Sequence, residues 1–284
     1  MGAYYETIPK QSLIDWMLAQ KVFWIATAPL SGNGHVNVSP KGGQYFGIPD
    51  DKTFWFLDLT GSGNETISHL IEPGNGRVTI LFNAFEGPPR IVRLWGKGRV
   101  LENGTPDFDS IVQKENIEVI PGTRSVIVVD IHQVGTSCGY SVPIFDFKEF
   151  RTTLNDFFKR KEEKFLEGNE KESMDRYWAL KNARSMDGLP GMPRGLKAGR
   201  VYAIEPIKKM VGPLAPKNGV ISGARSGFLL EHFVIIVLTL LLAIALATHP
   251  AFQHHAQARI RDAVLQIKAV PSALPSSVRF RELK

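Results

Sequence analysis

Cysteine is nearly missing: Cys138 is the single one in 284 residues. That excludes an intrachain disulfide and any cysteine metal cluster, and it suits a reducing compartment. No basic segment followed by an apolar core stands at the N-terminus, so no cleaved secretory signal is expected. Gly2 is not read as a myristoylation site, because Glu6 stands where the motif needs Ser or Thr. The body of the chain has no dense Lys/Arg stripe with interleaved aromatics, which argues against a nucleic-acid partner. The formal charge of +6 is unevenly spread, since Arg259, Arg261, Lys268, Arg279, Arg281 and Lys284 outnumber Asp262 and Glu282 in the tail. No Ser-His-Asp, Cys-His or paired-carboxylate arrangement can be assembled from the motifs, so any chemistry is left to a cofactor. The tail histidines His249, His254 and His255 read as solvated, and no metal site is expected.

What is present is the composition of a globular protein with a core, 43% hydrophobic and 22% charged, long enough for one or two domains. Val22 to Ala28, Gly34 to Ser39, Thr53 to Leu59, Arg77 to Asn83, Arg90 to Leu101 and Arg124 to Ile131 are rich in aromatic and β-branched residues. Turn residues punctuate them, as in Gly32-Asn33-Gly34 and Glu86-Gly87-Pro88-Pro89, so they read as six antiparallel strands. Six strands with few helices suggest a closed or split barrel, a topology that hides sheet edges. Ser12 reads as the N-cap of a short amphipathic helix whose stripe is Leu13, Ile14, Met17 and Leu18. Thr105-Pro106 opens another by the cap-then-proline rule.

The run Gly34-His35-Val36-Asn37-Val38-Ser39-Pro40-Lys41-Gly42-Gly43 alternates as a strand to Val38 and then breaks. It offers Ser39 and Lys41 at a strand end, where a glycine backbone lets a ligand approach. An ordinary turn with a solvated lysine is the alternative. Thr60-Gly61-Ser62-Gly63-Asn64-Glu65-Thr66 passes from a strand through small hydroxyl residues into a helix with Ile67, Leu70 and Ile71 on its apolar face. Free N–H groups at a helix start favour a phosphate, although Thr60, Ser62 and Asn64 also suit plain capping. Arg93, Trp95, Lys97 and Arg99 share one strand face, and an aromatic between cations suits a planar anion as well as solvent.

From Phe147 the period becomes helical, with Phe150, Leu154, Phe157, Phe158 and Phe165 among charges, and a second helix follows around Met174, Tyr177 and Trp178. Ser185 to Gly199 and Pro206 to Gly227 have the Gly/Pro content of linkers. Phe228 to Thr248 is apolar all round, and from Phe233 it carries no charge; at about 1.5 Å per residue its length matches the hydrocarbon of a bilayer. It is read as a single membrane span with the barrel facing the cytosol, a buried core helix being the alternative. The expected organisation is 1–146 barrel, 147–213 helical extension, 214–227 linker, 228–248 transmembrane helix and 249–284 basic tail.

Together, His35 to Gly43, Thr60 to Thr66, Phe82-Asn83-Ala84-Phe85-Glu86-Gly87-Pro88-Pro89-Arg90, Arg93-Leu94-Trp95-Gly96 and Gln133 to Pro143 resemble the pyridoxamine 5′-phosphate oxidase family, and its fungal members in particular. The resemblance covers about Tyr4 to Pro213. It implies a mainly β, six-stranded FMN-binding split barrel with flanking helices, the FMN held at a homodimer interface. By position it matches Ser39, Lys41, Asn64 and Thr66 to cofactor contacts, and with Asn37, Thr60, Ser62, Arg93 and Trp95 from the motifs themselves the expected cofactor-binding residues number nine. Two cations of the authentic oxidases are replaced, by Val36 and by Glu65, and their substrate-binding C-terminal segment has no counterpart. The expected function is therefore an FMN-dependent oxidoreductase, membrane-tethered, acting on a small molecule other than a vitamin B6 phosphate. The alternative is a protein that binds flavin or another planar ligand without turnover.

Overall fold

The computed structural model describes residues 2–213, 215, 216, 237–239, 259 and 261. Eight strands form one antiparallel sheet: β1 (Ala3–Tyr5), β2 (Val22–Thr27), β3 (Asn37–Gly42), β4 (Phe46–Gly47), β5 (Thr53–Leu59), β6 (Arg77–Asn83), β7 (Ile91–Glu102) and β8 (Thr123–Ser137). The order is β3-β2-β6-β7-β8-β5-β4, with β1 added along the far end of β8. The two ends of that path, β3 and β4, are joined by residues 43–45 alone. Four Cα steps reach about 15 Å, whereas seven flat strands would be about 29 Å across. The sheet must therefore curl until its edges approach, giving a half-barrel of the split-barrel kind with flanking helices.

Inward-facing aromatics fill the curl. Phe23, Phe46, Phe54, Phe56 and Phe82 pack with centroid separations from 5.0 Å (Phe23–Phe46) to 6.1 Å (Phe54–Phe82), all at most 8% exposed. Helix α1 (Gln11–Leu18) covers one opening with Leu13, Ile14 and Met17, while Leu18 stays outside. Its N-cap is Lys10, without a side-chain hydrogen bond, so the expected Ser12 cap is displaced by two positions. Helix α2 (Glu65–Ile71) follows β5. Helix α3 (Pro106–Lys114) starts as expected, the Thr105 hydroxyl accepting from Phe108 N. A smaller cluster of Leu57, Phe108, Ile117, Val126 and Val128 lies beneath α3.

Three local expectations are corrected. The six strands become eight, because the short β1 and β4 carry too few residues for a periodic pattern. Strand β3 begins at Asn37 and runs through Pro40 to Gly42, so Ser39 and Lys41 lie within it. Pro40 is tolerated because β3 is an edge: Trp24 pairs with it on one side, and its missing donor interrupts no ladder on the other. Residues 185–199, read as linker, are ordered. They form a bridge between Arg184 and Pro190 and then helix α6 (Pro193–Tyr202), after α4 (Thr153–Leu166) and α5 (Met174–Lys181). Their glycines serve close packing. A Cβ at Gly195 would meet the Trp178 carbonyl oxygen at 2.8 Å, and one at Gly191 would collide with the Asn64 amide. Trp178 and Met192 belong to the same buried cluster as the barrel phenylalanines.

The chain divides into two units, Met1–Gly223 and Ala224–Lys284. The expected span Phe228 to Thr248 lies outside the described residues except for 237–239, which are helical. Among the described residues no helix is long and apolar enough to cross a membrane.

Candidate functional site

Asp58 sits in the aromatic strand β5 at a register shift, is wholly buried, and is paired from two directions. Arg124, at the start of β8, donates from Nε at 2.6 Å and Nη2 at 3.3 Å, and Lys41 Nζ from β3 lies at 3.3 Å. Burial alone would push the Asp58 carboxyl up, but the Arg124 guanidinium and then Lys41 outweigh it and hold the group below the usual carboxylate range. One carboxylate thus faces two cations. Arg124 is 4% exposed and its fork suffices for Asp58, so Lys41, 23% exposed at its side chain, carries surplus positive charge.

Lys41 lines a pocket of about 250 Å³ with Phe23, Leu57, Thr60 and Gly61. Beside it, a cleft of about 1040 Å³ runs between α1, the β6–β7 turn and the segment before α4. The two share Gly42, Gly43, Tyr45, Leu59 and Leu154 as walls.

The loop after β5 is turned inside out by its neighbours. Asn182 Nδ2 donates to Gly61 O at 2.8 Å and to Gly63 O at 3.4 Å, and Arg124 Nη1 donates to Gly63 O at 2.7 Å. These two carbonyls are taken inward, while the N–H groups of Gly61, Ser62 and Gly63 have no acceptor among the described residues. Glu65, which by sequence stands where a phosphate would be repelled, is folded back: Oε2 accepts from Asn64 N at 2.9 Å and Oε1 from Met186 N at 3.2 Å.

The nine residues expected to hold a cofactor fall into three groups. Lys41 lines the pocket, Ser39 is half-buried on the same face of β3, and Ser62 is exposed on the loop. Thr60, Asn64 and Thr66 are buried and engaged within the protein: Thr60 Oγ1 accepts from Trp178 Nε1 at 3.0 Å, Asn64 Nδ2 donates to Ser68 Oγ, and Thr66 Oγ1 accepts from Asn37 Nδ2 at 3.1 Å. Arg93 and Trp95 lie on the other face. Trp24 pairs with both Pro40 and Leu81, and Leu81 with Arg93, so the β7 pair shares the outer face with Trp24, while Phe23 and Lys41 face the core. Within one chain the nine are not brought to a single cavity.

Sequence reasoning missed Asp58, Arg124, Asn182 and a histidine–aspartate pair. The signal for Asp58 was legible as a lone acid in Phe54-Trp55-Phe56-Leu57-Asp58. His35 Nδ1–H donates to Asp187 Oδ1 at 2.7 Å, while its backbone N donates to Oδ2, also at 2.7 Å. Asp187 is 1% exposed and comes from the ordered stretch taken for linker. Nearby, burial lowers the His69 pKa against Asp187, Glu65 and Glu72, which raise it; the ring bonds Thr27 Oγ1 through Nδ1 at 2.9 Å.

A curated relative, the pyridoxamine 5′-phosphate oxidase family protein ustO of Aspergillus flavus, is 37% identical over 204 residues, which is 69% of this chain and 80% of that protein. The chain belongs to the pyridoxamine 5′-phosphate oxidase family. No family model matches it. Similarity to solved structures is distant. Group A Streptococcus HupZ is 16% identical at a TM-score of 0.34, covering 44% of this chain and 91% of that one. The FAD-binding protein of Mycobacterium smegmatis is 14% identical at 0.33, covering 47% and 97%.

Proposed function

We propose that this protein is an FMN-dependent oxidoreductase whose cofactor lies at the Lys41 pocket. The observation that carries the reading is the surplus Lys41 charge beside a loop whose Gly61 and Gly63 carbonyls are engaged inside the protein while the Gly61, Ser62 and Gly63 N–H groups have no acceptor among the described residues. A flavin asks for both: an anion-binding backbone for its phosphate and a cation near the ring edge that gains negative charge on reduction. Gly61, Ser62 and Gly63 would hold the phosphate through N–H groups and the Ser62 hydroxyl, and Lys41 would face the ring. Bound there, FMN would supply two-electron chemistry. Thr60, Asn64 and Thr66 are assigned to holding the loop, since each already makes a side-chain hydrogen bond inside the protein.

The test is a titration of the full-length protein with FMN and riboflavin, followed by flavin fluorescence. FMN is expected to bind more tightly. Equal affinities would remove the phosphate assignment, and no binding of either would remove the flavin.

A homodimer completes the proposal. Val36, Val38 and Tyr4 are 70%, 61% and 73% exposed, and by strand register Val38 shares the outer face with Trp24, Leu81 and Trp95. An apolar sheet face of this kind supports pairing with a second copy. Pairing would also let Arg93 and Trp95 serve the partner's cofactor, which their position on the outer face otherwise prevents. We propose further, from the apolar run Phe228 to Thr248, that the protein is tethered to a membrane with the barrel in the cytosol. Alkaline carbonate should leave the full-length chain in the membrane pellet and release one ending before Phe228; extraction of the full-length chain would reject the tether.

A further inference from the structure

The cleft of about 1040 Å³ is larger than the flavin reading uses, and its walls have a chemistry of their own. Trp16, Tyr45, Phe85, Phe147 and Phe150 give it aromatic sides. These sides are braced. Phe147 and Phe150 pack at 4.8 Å and Phe85 and Phe145 at 5.3 Å, and the segment before α4 is pinned to the β6–β7 turn by Phe145 N to Phe85 O (3.0 Å) and Phe147 N to Glu86 Oε1 (2.9 Å).

Two donors are held in orientation at this surface. Asn83 is 7% exposed, its Oδ1 accepts from Trp24 Nε1 at 3.1 Å, and its Nδ2 has no acceptor among the described residues. Tyr45 accepts at its hydroxyl oxygen from Asn155 Nδ2 at 2.9 Å, which leaves the phenolic hydrogen to be donated. Solvent reaches Asn83 Nδ2 at the cleft wall, so an acceptor on a ligand can take the place of water there. The charged residues on the walls, Lys21 and Arg151 against Glu86, Asp146 and Glu149, do not favour an anion. Lys21 already lies 5.7 Å from the centre of the Phe147 ring, and Glu86 is bonded to the Phe147 N–H.

We propose that this cleft binds a neutral, planar aromatic carbonyl compound, of which quinones are the simplest class. The rings of such a compound are matched by the aromatic sides, and its carbonyl oxygens by Asn83 Nδ2 and the Tyr45 hydroxyl. Because the cleft shares five wall residues with the Lys41 pocket, the compound would lie next to the cofactor. Binding stands on the cleft's own geometry; the role of redox substrate rests on the flavin reading.

The experiment uses full-length, flavin-free protein and 2,3-dimethyl-1,4-naphthoquinone, whose substituted ring does not alkylate Cys138. Quenching of tryptophan fluorescence reports binding, since Trp16 lines the cleft. The quinone should bind more tightly than 2,3-dimethylnaphthalene, and Tyr45→Phe should weaken the quinone by about three- to tenfold, the worth of one hydrogen bond, without changing the hydrocarbon. Absence of quenching, equal affinity for quinone and hydrocarbon, tighter binding of the corresponding hydroquinone, or an unchanged quinone affinity in Tyr45→Phe would each overturn the proposal. The protein is free of flavin, so failure here leaves the FMN titration standing, and failure of that titration leaves this result standing.

Discussion

At the scale of single residues, Asp58 and Lys41 divide structure from function. Asp58 is buried between cations, so Asp58→Asn should leave Arg124 facing Lys41 without a counter-charge and destabilise the protein by about 3–5 kcal/mol, measured by urea unfolding near neutral pH. The pH dependence has a definite sign. The folded pKa lies below the ordinary 3.8, so the Asp58 contribution is fully present above that value and is lost as pH falls through the lower folded one. Acid unfolding curves should show this slope in the wild type and a shallower one in Asp58→Asn. Lys41→Met should behave differently. Arg124 still satisfies Asp58, so stability should change by less than about 1 kcal/mol, while the reduced state of bound flavin loses its cation and the reduction potential falls. An unchanged potential in spectroelectrochemical titration would separate Lys41 from the ring.

At the scale of elements, the helical extension shapes the loop after β5. Asn182 is fully buried and turns two loop carbonyls inward. Asn182→Ala should release them, at a cost of about 1–3 kcal/mol in stability. A loop that merely loosens would weaken FMN and riboflavin alike. A loop whose outward N–H groups bind phosphate should lose more affinity for FMN than for riboflavin, so the ratio of the two dissociation constants distinguishes positioning from general damage. The expectation of linker at 185–199 failed for a related reason. Glycine and proline mark both flexible chain and tight backbone contact, and only the approach of Gly191 to Asn64 and of Gly195 to Trp178 shows which one applies.

At the scale of the whole molecule, the curled sheet has two faces with separate duties. The inner face holds the phenylalanine core and the Lys41 pocket; the outer face carries Val38, Leu81, Arg93 and Trp95. If that outer face pairs two copies, Val38→Lys should convert a dimer into a monomer in light scattering at micromolar concentration, with the fold retained by circular dichroism. In a dimer with the cofactor shared across the face, mixing Arg93→Ala chains with Lys41→Met chains should recover one intact site in each mixed dimer. No recovery would reject a cofactor shared across the face.

The sequence by itself determined most strand positions, the Thr105 cap of α3 and the family, because each depends on short-range periodicity, local capping or contiguous motifs. It also showed which residue types stand at the candidate site. Only the tertiary structure decided their roles. Asp58 meets Arg124 across 66 positions and His35 meets Asp187 across 152. Closure of the sheet and docking of the extension create these pairs, and nothing in the local pattern of either partner specifies the other. The same closure placed Lys41 and Arg93 on opposite faces, since a strand's period fixes the alternation of its side chains but not which side becomes the interior.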